Sequence, residues 1–128
     1  MDARDVSAEL RTLSLLSIGA GMTEEDAGKA MRILAGFNQC MVGLVRFEGE
    51  TPWERHPEDE LLYLLEGEVD VTLLPASGPA QHATLRTGSV FVVPRGLWHR
   101  QLARKPAALL FVTSSEGNDA STAVDPRT

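Results

Sequence analysis

From residue 31 onward, apolar positions fall in short runs that alternate with polar ones or stand in tight clusters. The runs are MRILAGF, CMVGLVRF, PWERH, ELLYLLE, VDVTLL, HATL, SVFVV, WHRQLA and AALLFVT. Between them lie residues with turn chemistry: Asn38-Gln39, Glu48-Gly49, Glu66-Gly67, PASGPA, Thr87-Gly88, PRG and Arg104-Lys105-Pro106. Many short strands at close intervals predict an all-β sandwich or barrel. Upstream the period changes. Val6, Leu10, Leu13 and either Leu16 or Ile18 lie near helical spacing, which predicts a short helix within residues 5–16. Residues 19–29 hold three glycines and read as a loop, with one helical turn started by Thr23. Residues 114–128 lack apolar periodicity and read as a flexible tail. The pattern thus divides the chain into an N-terminal helix and loop (1–30), a β domain (31–113) and a tail (114–128), with no internal repeat.

Composition narrows the function classes. A chain of 128 residues with 43% hydrophobic and 23% charged residues suits one globular domain with a single core. The formal net charge is −6 and no run of Lys or Arg exceeds two, which argues against nucleic acid or an anionic membrane as partner. Cys40 is the single cysteine, so no intrachain disulfide can form, and the N-terminus shows neither the basic start nor the apolar stretch of a signal peptide. The expectation is a cytoplasmic protein.

The candidate chemistry begins in WERHPEDELLYLLEG. Glu54 and His56 are two apart, so on a strand both side chains leave the same face. In ELLYLLE, alternation puts Glu60, Leu62 and Leu64 on one face and Leu61, Tyr63 and Leu65 on the other. A carboxylate among inward leucines is costly unless it is paired or binds a metal. Arg46 is the one basic side chain with a chance of reaching it, and a metal is the simpler partner. Imidazole and carboxylate together suit Zn, Fe, Ni or Mn, and two His with one carboxylate can leave coordination positions open. Two turns frame these residues. Gly67 supplies the positive φ of a tight reversal, and in GSVFVVPRGLWH Pro94 ends a strand while Gly96 permits a second sharp turn, expected to bring His99 onto a strand beside the one just left.

These residues resemble the two motifs of the cupin family. The first, HxH, three or four residues, E, six residues, G, is matched by Glu54-x-His56, Glu60 and Gly67, with Glu54 where the family has its first His. The second, G, five residues, PxG, two residues, H, three residues, N, is matched by Gly88, Pro94, Gly96 and His99, while Ala103 stands at the Asn position. The resemblance covers roughly residues 31–113 and implies a double-stranded β-helix, the jelly-roll cupin barrel, with a short N-terminal helix before it. It also implies an internal divalent transition metal held by His56, Glu60 and His99. It implies a homodimer with residues 31–48 near the interface.

Each position has a plainer alternative. His56 can be a surface residue of a charged loop, His99 a satisfied interior histidine, and Glu60 a solvated strand start. Glu54 is expected as a fourth metal ligand, the alternative being an exposed ion pair beside Arg55. His82 lies outside both motifs and is taken as structural, Cys40 as a packed small hydrophobe, and Trp53 and Trp98 as packing or interface residues facing away from the metal. Gln101 shares parity with His99 and is the candidate substrate-binding residue. The resemblance implies two function classes. One is a metal-dependent enzyme, of dioxygenase or of isomerase or lyase type, acting on a small molecule in the barrel. The other is a non-enzymatic small-ligand binder or sensor whose metal is structural or absent.

Overall fold

The structure, a computed structural model, describes residues 2–128 and is built mainly of strands, with two short helices near the N-terminus. In chain order the elements are α1 (Val6–Leu10), β1 (Leu16–Ser17), α2 (Glu24–Ala30), β2 (Met31–Phe37), β3 (Cys40–Glu50), β4 (Trp53–Arg55) and β5 (Glu60–Glu66). They continue with β6 (Glu68–Leu74), β7 (Gln81–Arg86), β8 (Val90–Val93), β9 (Trp98–Ser114) and β10 (Asp119–Ser121).

β9 is the spine of this sheet. Its first part, Trp98–Leu102, pairs with β6, and its last part pairs with β3 on one edge and β5 on the other. The sheet closes into the expected jelly-roll barrel, with Phe47, Leu62, Leu64, Val71, Leu109 and Phe111 among the inward side chains of the main core. Residues 98–113 were expected as two strands broken at Arg104-Lys105-Pro106, but they form one. All three of those residues are exposed and fall between the paired segments, where the register with β3 shifts between Phe47 and Gly49. Pro106, which has no N–H to give, sits where no ladder bond is needed.

The N-terminal segment is also more structured than its pattern suggested. α1 is shorter than the helix expected over residues 5–16. It is capped by Asp5 and ends at Leu10, after which Leu13 packs against Leu44 on the outside of the sheet and Leu16 enters the main core through β1. The apolar spacing was therefore that of burial, met by two different backbone conformations. Thr23 does start a helix, longer than one turn. Its side chain accepts from the Asp26 N–H while the Asp26 carboxylate accepts from the Thr23 N–H, a complete capping box. Ala30 at the end of that helix is fully buried in the main core and Leu16 is buried there too, so the N-terminal segment is packed onto the barrel through these residues.

Two further departures bear on the site. Among the described residues β8 pairs only with β5, and after the Pro94–Gly96 turn β9 runs beside β6, so His99 does not lie on a strand next to the one just left. The segment expected as a flexible tail contains β10, which pairs antiparallel with β4. Arg127 beyond it donates to the Pro75 and Gly78 carbonyls at 3.0 and 2.8 Å.

Candidate metal centre

Three elements carry the motif side chains to one point inside the barrel. β4 ends just before His56. β5 opens with Glu60, whose burial alternates with its neighbours as the sequence pattern predicts. β9 contributes His99 from its second position. The Gly96 turn, with φ of 76°, is tied to the first of these, because the Gly96 N–H donates to the His56 carbonyl at 2.9 Å. A side chain at Gly96 would be strained in that conformation. The motif spacing thus places His99 near His56 through this backbone bond and through the pairing of His99 with Glu54 on β4, not through pairing with β8.

His56, Glu60 and His99 are buried, at 6%, 6% and 2% exposure, and their candidate donor atoms lie within 4.8 Å of one another. Glu60 Oε1 is 3.0 Å from His99 Nε2 and 3.6 Å from His56 Nε2. Yet His56 Nε2 and Glu60 Oε1 have no partner in hydrogen-bonding geometry, nor does His99 Nδ1. Buried polar atoms without partners are uncommon and costly, and here two of them face each other across the cluster. Two imidazoles and a carboxylate arranged so fit one divalent transition ion. Arg46 does not reach this point. It pairs with Glu66 on the outer surface at 2.8 Å.

The electrostatics agree. Burial alone would raise the Glu60 carboxyl, but the two imidazoles outweigh it and hold it down at about 2. Burial opposes a charge on His56, but Glu60, Asn118 and Glu54 together raise its pKa. Glu54 behaves oppositely. Burial first, and then the like charge of Glu60, push its carboxyl up. The site as a whole attracts positive charge.

Glu54 stands opposite His99 in register and lines the same cavity as His56 and Glu60, so it enters the barrel and does not form the exposed pair with Arg55. Arg55 instead pairs with Asp119 at 2.8 Å. Glu54 lies outside the tight trio of His56, Glu60 and His99. Gln101 also lines the cavity, and its N–H is anchored to the Thr51 hydroxyl at 3.0 Å. Trp53 and Trp98 pack with Leu74 on the far side of β4 and β9, each under an arginine guanidinium: Arg100 over Trp53 and Arg55 over Trp98. His82 is exposed on β7, near the Thr72 hydroxyl, and Cys40 is partly buried. One residue of the site was not anticipated. Asn118 lines the cavity and its Oδ1 lies 2.8 Å from His56 Nδ1. A buried metal-binding His calls for a partner on its second nitrogen, but nothing in SSEGNDAS announces which residue supplies it.

A jelly-roll barrel with a buried His–Glu–His cluster, two of whose members line a mainly apolar cavity, defines a class of β-barrel proteins. This chain belongs to that class by sequence as well: residues 43–113 match the cupin domain, and the protein is a member of the cupin family. It is 32% identical to germin-like protein subfamily 2 member 4 of Arabidopsis thaliana over 108 residues, which are 78% of this chain and 47% of the relative. The chain therefore spans about half the length of that relative. Among solved structures it resembles a cupin-2 domain containing protein from Shewanella frigidimarina, with a TM-score of 0.57, 27% identity, and 66% and 78% of the two chains covered. It also resembles a recombinant oxalate oxidase in complex with glycolate, with a TM-score of 0.56, 25% identity, and 65% and 46% covered.

Proposed function

We propose that this protein is a metal-dependent cupin whose barrel takes up one small molecule beside a divalent ion held by His56, Glu60 and His99, with Glu54 as a fourth donor. The observation that carries this reading is a coincidence in space. The His56 Nε2 and Glu60 Oε1 atoms, without hydrogen-bond partners, belong to residues that line a cavity of about 310 Å³ whose walls are mainly apolar. That volume suits a small organic ligand. A bound divalent ion supplies Lewis acidity or, if it is redox-active, oxygen activation.

The walls narrow the ligand class. Val45, Phe47, Leu62, Leu109 and Phe111 supply apolar surface, and Met22 and Met31 from the N-terminal segment add flexible side chains. Among the described residues, no Lys or Arg lines the cavity. A dianion such as oxalate would find no protein cation to neutralise it. The favoured occupant is a neutral or singly charged, mainly apolar molecule with one polar end at the donor cluster. Gln101 can hydrogen-bond that polar end through its amide but cannot move a proton at neutral pH. Glu54 is the nearest group able to act as a base if it does not ligate.

A second reading, that of a non-enzymatic ligand-binding cupin, draws support from the same lining: outside the donor cluster, Thr51, Gln101, Thr113 and Asn118 offer hydrogen bonds but no general acid or base. Oxygen uptake by the iron(II)-loaded protein with a panel of small phenols and enols separates the two. Uptake that depends on both the added compound and His99 supports the enzyme. Saturable binding of the same compounds without turnover supports the binder, and neither uptake nor binding removes the small-molecule reading.

The homodimer belongs to this proposal too. Outside the barrel, Ala35, Val42, Val112, Leu61 and Val92 form one cross-strand row over five neighbouring strands. Phe37, Tyr63 and Val90 extend the apolar surface, each more than a third exposed. An apolar sheet face of this kind suits a second copy of the same chain.

A further inference from the structure

Asn118 reaches the donor cluster from the C-terminal segment, and its own hydrogen bonds determine what it does there. Its Nδ2 donates to the Ser114 carbonyl at 2.9 Å, which fixes the orientation of the amide. Oδ1 is therefore the atom 2.8 Å from His56 Nδ1. An amide oxygen only accepts, so the proton of neutral His56 resides on Nδ1. The lone pair is then on Nε2, the ring atom that faces Glu60 at 3.6 Å and has no partner of its own. Imidazole binds a metal through that lone pair, and the group on its other nitrogen sets both tautomer and ring orientation.

The strand that follows adds a mechanical part. β4 meets β9 at a single registered pair, Glu54 with His99, whereas β10 pairs with it three times: Asp119 with Arg55, Ala120 with Glu54 and Ser121 with Trp53. β10 thus supplies most of the ladder that holds the strand bearing Glu54 and leading into His56.

We propose that Asn118 is a positioning residue of the metal centre, accepting from His56 Nδ1 so that Nε2 points into the cluster as a lone pair, and that the C-terminal segment is thereby part of the site. This rests on the metal-site reading above. A purely structural role, closing the turn through Ser114, makes different demands and can be separated. Asn118→Asp keeps the acceptor for His56 and loses the donor to Ser114. Asn118→Leu loses both.

The test uses the full chain in two measurements. Long-range ¹H–¹⁵N NMR of the metal-free protein, above the pH at which His56 titrates, reads the His56 tautomer. Calorimetry with Zn²⁺ alone reads affinity. The expected results are an Nδ1–H tautomer in the unaltered chain, its loss in Asn118→Leu, and Zn²⁺ binding weaker by about 10–100-fold in that variant, with Asn118→Asp binding as tightly as the unaltered chain. An Nε2–H tautomer in the unaltered chain overturns the proposal. So does unchanged affinity in Asn118→Leu, or an equal loss in Asn118→Asp, which would assign the effect to the Ser114 bond. If Asn118→Leu does not fold, the unaltered chain and Asn118→Asp still decide. If the unaltered chain binds no Zn²⁺, the metal reading fails, while the tautomer still decides what Asn118 does.

Discussion

Glu54 and His99 face each other across the barrel wall as the one registered pair between β4 and β9, so both side chains leave that pair on the inner face. The carboxylate that replaces a histidine in the first cupin motif is thereby held beside a motif histidine and near a second carboxylate. Shared coordination of one ion would remove the repulsion that Glu60 exerts on Glu54. Glu54→Gln is expected to weaken binding of Mn²⁺ or Fe²⁺ by about tenfold or more, which corresponds to the loss of one charged donor at roughly 1.4 kcal/mol or above. Glu54→His is expected to keep the fold and move preference toward Ni²⁺ or Zn²⁺. Competition calorimetry with the four ions checks both. Unchanged selectivity in Glu54→His would place Glu54 outside the coordination sphere.

The metal-free protein should be least stable on the alkaline side. His56 has a raised pKa, so its contribution is full below the ordinary value of 6.5 and is lost as pH rises through the folded value. Glu54, also raised, acts in the same direction, because the folded state favours its protonated form. Glu60 is depressed to about 2, so its contribution is present above the ordinary 4.5 and is lost only as pH falls toward that value. From His56 and Glu60 alone, melting temperature without metal should hold between about pH 4.5 and 6.5 and fall above it, and Glu54 adds a decline that begins once pH rises past 4.5. Glu54→Gln should remove the decline that starts above pH 4.5 and leave the fall above 6.5, which belongs to His56. Metal affinity should run the other way, rising with pH as His56 gives up its proton. A metal-free melting temperature that climbs from pH 6.5 upward contradicts these assignments.

Deleting residues 115–128 should destabilise the fold. The deletion removes the three β10–β4 pairs, the Arg55–Asp119 ion pair and the two carbonyl bonds from Arg127. At a net value of about 1 kcal/mol for each buried or ladder hydrogen bond, a fall in melting temperature of roughly 5 °C or more is expected. Calorimetry of the truncated chain decides it, and an unchanged transition would mean that the segment contributes nothing to the barrel.

Much of this was legible in the sequence, for identifiable reasons. Alternation around Glu60, Leu62 and Leu64 assigned an inner face because one side of that strand is buried and the other is not. Thr23 marked a helix start because capping is chemistry local to a few residues. The spacing from Gly88 to His99 worked because it encodes a turn whose backbone is bonded to His56. What the sequence hid was non-local. Pro106 looks like a strand break unless the partners on either side of it are known. Asp119–Ser121 has little strand propensity and pairs because β4 has an edge to offer. Asn118 matters only through its distance to His56, and no periodicity carries that information.

In solution the protein is expected as a homodimer, with twice the chain mass of 13.9 kDa, joined through the apolar outer row. Val92→Asp, placed at 50% exposure at the end of that row, should yield monomers with the barrel intact. Light scattering at micromolar concentration distinguishes the two masses. An unaltered chain that runs as a monomer would leave the row without a second copy.

The central claim is that one ion is held by His56, Glu60 and His99. Elemental analysis of protein purified without added metal, beside His99→Ala prepared in the same way, tests it most directly. Close to one divalent transition ion per chain is expected in the former and almost none in the latter, with the variant still folded because the core rests on residues such as Leu62, Leu64 and Val93. Equal metal content in the two proteins, or none in either, would contradict it.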